Sequence, residues 1–210
     1  MGVAAGRVYA GQNAVERATR RRNQLIEAAL ELLGTAATFS VTSVIARSGL
    51  APRYFYDSFA NLDELQHALY DTLIAEAERR SQAALARTGR RRARVRARAV
   101  LREMVAFALD DPRRGRVLFT VSMGSPVLGA RREDEVRRFA TLMSFHALAG
   151  EAQNGPSSRA VALAASFAMG GFVEIVSQAL DDVANVDQEQ LADDLTELFL
   201  GCARAGSQIG

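Results

Sequence analysis

The sequence predicts an all-α fold in which a small three-helix head precedes a larger helical body. Three observations predict it. Apolar residues recur at every third or fourth position in one segment after another, as in Leu25, Ile26, Ala29, Leu30 and Leu33, the spacing that gathers them on one helical stripe. No stretch alternates apolar and polar residues in the manner of a half-buried strand. Finally, Val41 to Phe59 reads as two short helices broken at Gly49, with Pro52 in the first turn of the second.

The composition bounds the function. The 210 residues are 49% hydrophobic and 24% charged, a globular balance rather than a disordered one. No apolar run is expected to reach the roughly 18 residues that cross a bilayer, and the N-terminus lacks the apolar core of a signal peptide, so the expected location is the cytoplasm, with no membrane contact. Cys202 is the only cysteine, which precludes an intrachain disulfide and leaves no metal-ligand spacing. All 26 basic residues are arginine. Residues 1–60 hold seven arginines against four acids, whereas residues 61–210 hold nineteen against twenty. Only the first part has the sign that nucleic acid attracts.

In chain order, residues 1–14 are expected to form a flexible arm and 15–61 the head. The first head helix opens on Glu16-Arg17 and Arg20-Arg21-Arg22. Arginines at a helix start oppose the dipole, which favours an external anion as the reason for them and marks Arg22 for a phosphate. Either Ser40 or Thr42 caps the second helix. Thr42 and Ser43 lie at its N-terminus, where hydroxyls and free amides suit a phosphate oxygen. On the third helix, steps of about 100° per residue put Phe55 and Phe59 inside and point Arg53 and Asp57 away from that seam. Tyr54 and Tyr56 flank them. Such a front suits a major groove, where arginine grips guanine and a carboxylate accepts from cytosine. Asn61 is placed to cap the next helix.

Ile45-Ala46, Gly49-Leu50, Phe55-Tyr56, Phe59 and Asp63-Glu64-Leu65 together resemble the DNA-binding module of the TetR family of bacterial transcriptional regulators. Four positions depart from its pattern. Ala51 stands where a capping serine is usual, Pro52 and Arg53 replace a small polar pair, and Leu62 replaces a phosphate-contacting lysine. The resemblance implies a homodimer that holds a palindromic operator of double-stranded DNA through Arg22, Thr42, Ser43, Ala51, Pro52, Arg53, Tyr54, Tyr56, Asp57 and Asn61. It further implies release by a small-molecule effector.

Residues 62–210 are read as the effector-binding and dimerisation body. A helix from Leu62 to about Ala86, roughly 35 Å long, leads to Arg87–Arg102, which contains eight arginines and no acid. That distance is several Debye lengths, so the tract is expected to be a solvated loop and helix face. Further helices are expected over 93–110, 113–123, 127–149, 157–181 and 188–205. The fourth of these is small-sided and apolar on more than one side, and with the last it suggests a dimer surface at Ala164, Ala165, Ala168, Gly171, Leu195 and Phe199. Phe107, Phe119, Met123, Phe139, Met143, Phe167 and Phe172 are candidates to line an effector cavity, with His146 and Glu174 as polar anchors. No cofactor is implied. Two histidines, one cysteine and no nucleophile elbow or phosphate-cradling glycine loop argue against an enzyme. The function this reading predicts is a repressor released by a small apolar ligand. An activator, a ligand-independent regulator, and a helical binding protein with a vestigial head are its competitors.

Overall fold

The structure, a computed structural model, describes the backbone of residues 4–89, 91–148 and 158–208, and the side chains of residues 14–89, 91–138, 159, 160 and 162–206. Every regular element among them is helical. The chain divides into two compact units, Met1–Asp71 and Thr72–Gly210.

The first unit holds α1 (Ala4–Gly34), α2 (Val41–Ser48), α3 (Pro52–Tyr56) and the beginning of α4 (Leu62–Thr88). The loose arm expected over 1–14 is instead helical from Ala4. Adding a residue to an existing helix is far cheaper than nucleating one, and residues 4–14 include four alanines and no proline. Gly6 and Gly11 weaken this stretch, at about 1 kcal/mol each relative to alanine, without ending it. Arg17 to Arg22 therefore lie mid-helix, and the dipole argument for an external anion no longer applies to them. Around this helix the core of the unit gathers Leu25, Ala29, Val44, Phe55, Phe59, Leu65 and Leu69, all essentially without exposure.

The second unit continues with α5 (Ala93–Leu109), α6 (Pro112–Gly115), a π-helical segment (Arg116–Val121), α7 (Ser122–Gly124), α8 (Gly129–Leu148), α9 (Ser158–Ala179), a 3-10 turn (Val183–Asn185) and α10 (Gln188–Gln208). Asp111 caps α6: its carboxylate pairs with the Arg113 guanidinium at 2.8 Å and accepts from the Arg113 amide. These bonds, the side-chain one foremost, hold its pKa below the usual carboxylate range. Glycine is needed at 115, where a Cβ would stand 2.7 Å from the Ala108 carbonyl oxygen and 2.8 Å from Leu180 Cδ2. α10 packs along α5 and α9, and α8 along α9. Between them lie Leu101, Val105, Leu109, Phe172, Val176, Leu195 and Phe199.

The arginine tract lies on an exposed face, and part of it pairs with acids of the chain. Arg94 Nε lies 2.6 Å from Glu197, Arg98 binds Asp193 and lies 3.3 Å from Glu189, and Arg102 Nε lies 2.6 Å from Glu189. Each step of four residues up α5 meets a step of four down α10, so the two helices run antiparallel with facing charged edges. Arg87 pairs with Glu103 at 2.9 Å. Arg91 and Arg92 are exposed.

The expectation for the dimer surface on α9 does change. The window Ala162–Ala179 has a mean hydropathy of 1.3 over 18 residues, but Ser166, Glu174, Ser177 and Gln178 interrupt it, so it is not an unbroken apolar run. Here it has two faces. Ala165, Met169, Phe172, Val173 and Val176 enter the core, while Leu163, Ser166, Phe167, Gly170, Gly171 and Glu174 are exposed. Ala165, Leu195 and Phe199, expected at a dimer surface, are buried in the chain's own core at 6%, 5% and 8% exposure. Periodicity placed them on an apolar stripe without saying which stripe faces inward. Ala164 and Ala168 are half-buried and Gly171 is exposed.

The facing charges of α5 and α10 give a direct test. Reversing either member alone, Arg98→Asp or Asp193→Arg, sets like charges together, and is expected to lower Tm by about 2 °C or more. The double reversal restores the attraction and most of the Tm, measured by thermal unfolding at low salt.

Candidate nucleic-acid interface

The helix-turn-helix is built by local chemistry. Ser40, with extended backbone, caps α2: its Oγ accepts from the Ser43 amide at 3.1 Å, and Ser43 Oγ accepts from the Ser40 amide at 2.9 Å. This reciprocal box resolves the alternative between Ser40 and Thr42 in favour of Ser40. It also commits the Ser43 hydroxyl, which further donates to the Ser40 carbonyl at 2.9 Å. Thr42 is exposed beside it. Gly49 ends α2 at φ +68, a left-handed conformation that suits glycine, with its amide donating to the Ile45 carbonyl. Arg47 pairs with Glu31 and ties α2 to α1.

α3 is shorter than the helical wheel assumes. It ends at Tyr56, yet the bonds from Asp57 N to Arg53 O at 2.9 Å and from Phe59 N to Phe55 O at 2.8 Å carry the helical phase one turn further. Phe55 and Phe59 therefore still share one side, with ring centroids 6.2 Å apart, and are 0% and 1% exposed. Ala51, Pro52, Arg53, Tyr56 and Asp57 are exposed on the other sides, Tyr56 at 64%. Ala51 supplies no side-chain cap, and Pro52 occupies the first turn. Asn61 starts α4, its Oδ1 accepting from the Glu64 amide at 2.9 Å while Glu64 accepts from the Ala60 amide at 2.6 Å.

Tyr54 behaves differently from the flanking residue that the wheel suggests. It is half-buried. The Arg21 guanidinium of α1 stacks over its ring at 4.4 Å from the centroid, and that of Arg53 lies 4.7 Å from the same centroid. Arg53 Nη2 donates to the Tyr54 hydroxyl at 2.7 Å. That bond holds the Arg53 pKa above its ordinary value and the Tyr54 pKa below. Arg22, exposed as the phosphate reading requires, stacks over the Phe59 ring at 4.7 Å. Arg21 was absent from the sequence candidates. Its one signal is position: it precedes the fully buried Leu25 by one helical turn, on the inward stripe of α1.

The expected effector residues of the second unit do not form one group. Phe119 and Phe172 pack edge to face at 5.8 Å, with Phe172 in the core. Phe107 is 2% exposed, with the guanidinium groups of Arg80 and Arg114 at 5.2 Å and 5.4 Å from its ring. Met123 and Phe167 point outward instead, at 49% and 75% exposure. Glu174, expected as a buried anchor, is exposed and accepts from Gln178 at 2.9 Å. On α9, Phe167 and Glu174 occupy the phase opposite to Phe172, so one helix cannot turn all three into one cavity. The side chains of Phe139, Met143 and His146 lie outside the described residues. Among the described residues no group of three His, Cys, Asp or Glu side chains is placed to hold a metal ion.

No family model matches the chain, and no curated protein does. Solved structures do. A TetR-like transcriptional regulator from Rhodococcus sp. RHA1 is 20% identical with a TM-score of 0.65, over 85% of this chain and 93% of that one. FadR from Bacillus subtilis in complex with stearoyl-CoA is 17% identical with a TM-score of 0.71, over 85% and 97%. The fatty acid degradation regulator FadR from Bacillus halodurans is 14% identical with a TM-score of 0.73, over 86% and 94%. At these identities the likeness is one of fold.

The capping box should be felt in stability. Ser40→Ala removes one acceptor and leaves the Ser43 amide uncapped, which is expected to cost about 1 kcal/mol, read as a lower urea midpoint with unchanged slope.

Proposed function

From a chain with the fold of the TetR-like transcriptional regulators, we infer a sequence-specific DNA-binding regulator that works as a homodimer on a palindromic operator. The observation that carries the reading is the division of α3. Phe55 and Phe59 are fully buried, which leaves Arg53 and Asp57 exposed on a head whose first 60 residues are net basic. A guanidinium on such a face grips guanine O6 and N7, and a carboxylate accepts from cytosine. Arg22 and Thr42 contact phosphate, which sets register and salt dependence without selecting sequence.

A dimer is required because two heads about 34 to 36 Å apart read a palindrome that one cannot. The surface for it is the outer side of α9 with α10. Leu163, Phe167 and Leu198 are 59%, 75% and 58% exposed, and Gly170 and Gly171 beside them permit close helix approach. This shifts the dimer surface from Ala165, Leu195 and Phe199 to residues that are free to meet a second copy. Repression follows from occupancy, since a dimer on the operator excludes the transcription machinery. Release by a small, largely apolar ligand bound in the second unit completes the scheme. Its support is the sequence resemblance together with the stearoyl-CoA held by the Bacillus subtilis FadR. A coupling of about 1 to 3 kcal/mol between ligand and DNA is typical of such linkage.

Selection from a randomised duplex library tests the reading. The wild-type protein is expected to enrich a palindrome, and Arg53→Ala to bind it about tenfold or more weakly while losing preference at one symmetric base pair. Enrichment of no palindrome at low salt would sink the regulator. Separately, Phe167→Glu is expected to shift the protein from dimer to monomer in analytical ultracentrifugation; a dimer of unchanged affinity would move the interface elsewhere.

A further inference from the structure

An exposed arginine samples many rotamers, and a base reader must give them up on binding. Arg53 is held before any DNA arrives. Its Nη2 donates to the Tyr54 hydroxyl at 2.7 Å, with the guanidinium 4.7 Å from the Tyr54 ring centroid. One bond to one nitrogen uses one of five N–H donors, so the fork keeps donors for the two acceptors of a guanine edge. Tyr54 is itself held from α1, by the Arg21 guanidinium stacked 4.4 Å from the ring centroid. Tyr54 is half-buried, as a ring covered by a neighbouring helix must be, and Arg21 is half-buried with it. Two cations against one phenol repel each other, and the arrangement persists because the ring face attracts both and the hydroxyl oxygen accepts from one.

We propose that Tyr54 and Arg21 are positioning residues for base recognition: Tyr54 presets the Arg53 guanidinium, and Arg21 holds Tyr54, so that α1 influences sequence choice without touching a base. The proposal rests on the reading of Arg53 as a base contact. Accepting from Arg53 leaves the Tyr54 hydroxyl its own proton to donate, so the positioning role and a phosphate contact are told apart by whether a loss depends on sequence. The lowered Tyr54 pKa agrees with such a bond, since the side-chain bond from Arg53 is its first cause.

The experiment uses the full chain and the palindrome selected by the wild-type protein, with the same duplex altered at the base pair that Arg53 reads. Tyr54→Phe keeps the ring for Arg21 and removes the acceptor. It is expected to lose about tenfold in discrimination between the two duplexes, more than it loses on unrelated DNA, with Tm unchanged. Arg21→Ala is expected to lose part of the same discrimination, and Arg21→Lys to restore less than arginine because an ammonium lacks the planar stack. Tyr54→Phe added to Arg53→Ala should cost nothing more. In the free protein, ¹⁵N relaxation at Arg53 Nε should report an ordered side chain that becomes mobile in Tyr54→Phe.

Unchanged discrimination in Tyr54→Phe overturns the proposal. So does an equal loss on selected and unrelated DNA, which would make Tyr54 a phosphate contact. Should Arg53→Ala itself leave discrimination intact, the base-reading role of Arg53 fails and the positioning role falls with it, a pattern distinct from failure of Tyr54→Phe alone.

Discussion

What α3 presents to its surroundings follows from the burial of two phenylalanines four positions apart. Phe55 and Phe59 are 0% and 1% exposed, and their rings must leave water for the unit to close; each such burial is worth about 1.5 to 3 kcal/mol. Once they are inside, the rotation of α3 is set, and Arg53 and Asp57 have nowhere to go but outward. A turn of five helical residues would be a weak support by itself. It is held here because the backbone bond from Phe59 to Phe55 extends the helical phase past the last regular residue, and because Arg22 of α1 lies over the Phe59 ring. The same constraint that makes the core makes the exposed face.

In the second unit the corresponding organiser is the pairing of α5 with α10. An apolar layer containing Leu101, Val105, Leu195 and Phe199 is bordered by arginines on one helix and acids on the other. The ion pairs are exposed and individually weak. Because the charges recur every turn on both helices, a slip of one turn would re-form two of the three pairs, so the apolar layer rather than the ion pairs must fix the register. Arg94 and Glu197 stand 103 positions apart in the chain, so neither predicts the other by proximity. The likeness of fold to solved regulators at 20% identity or less shows how little of such a fold needs particular residues once the apolar stripes and breaks are in place.

Aromatic rings in both units are occupied by guanidinium groups, in a chain whose basic residues are all arginine. Arg21 and Arg53 meet Tyr54, Arg22 meets Phe59, and Arg80 and Arg114 meet Phe107. A flat, weakly hydrated cation covers an aromatic face where an ammonium would hold water. Arginines that read as candidates for an outside anion thus have partners within the chain. For Arg22 this need not compete with a phosphate, because stacking uses the guanidinium plane and leaves donors at its edge.

Several features were legible in the amino-acid sequence alone. The helical class, the break at Gly49, the seam of Phe55 and Phe59 and the cap at Asn61 depend on spacing within one segment, and a helix repeats its phase locally. Other features were decided only when helices met. The stripe of α9 that turns inward, and hence the removal of Ala165 from the outer surface, depends on how α9 is rotated against α5 and α10. The pairing of Arg94, Arg98 and Arg102 with α10 depends on the direction and register of two distant helices. The Arg21, Tyr54 and Arg53 cluster requires α1 to lie beside α3. Periodicity records which residues share a face; only packing determines what that face touches.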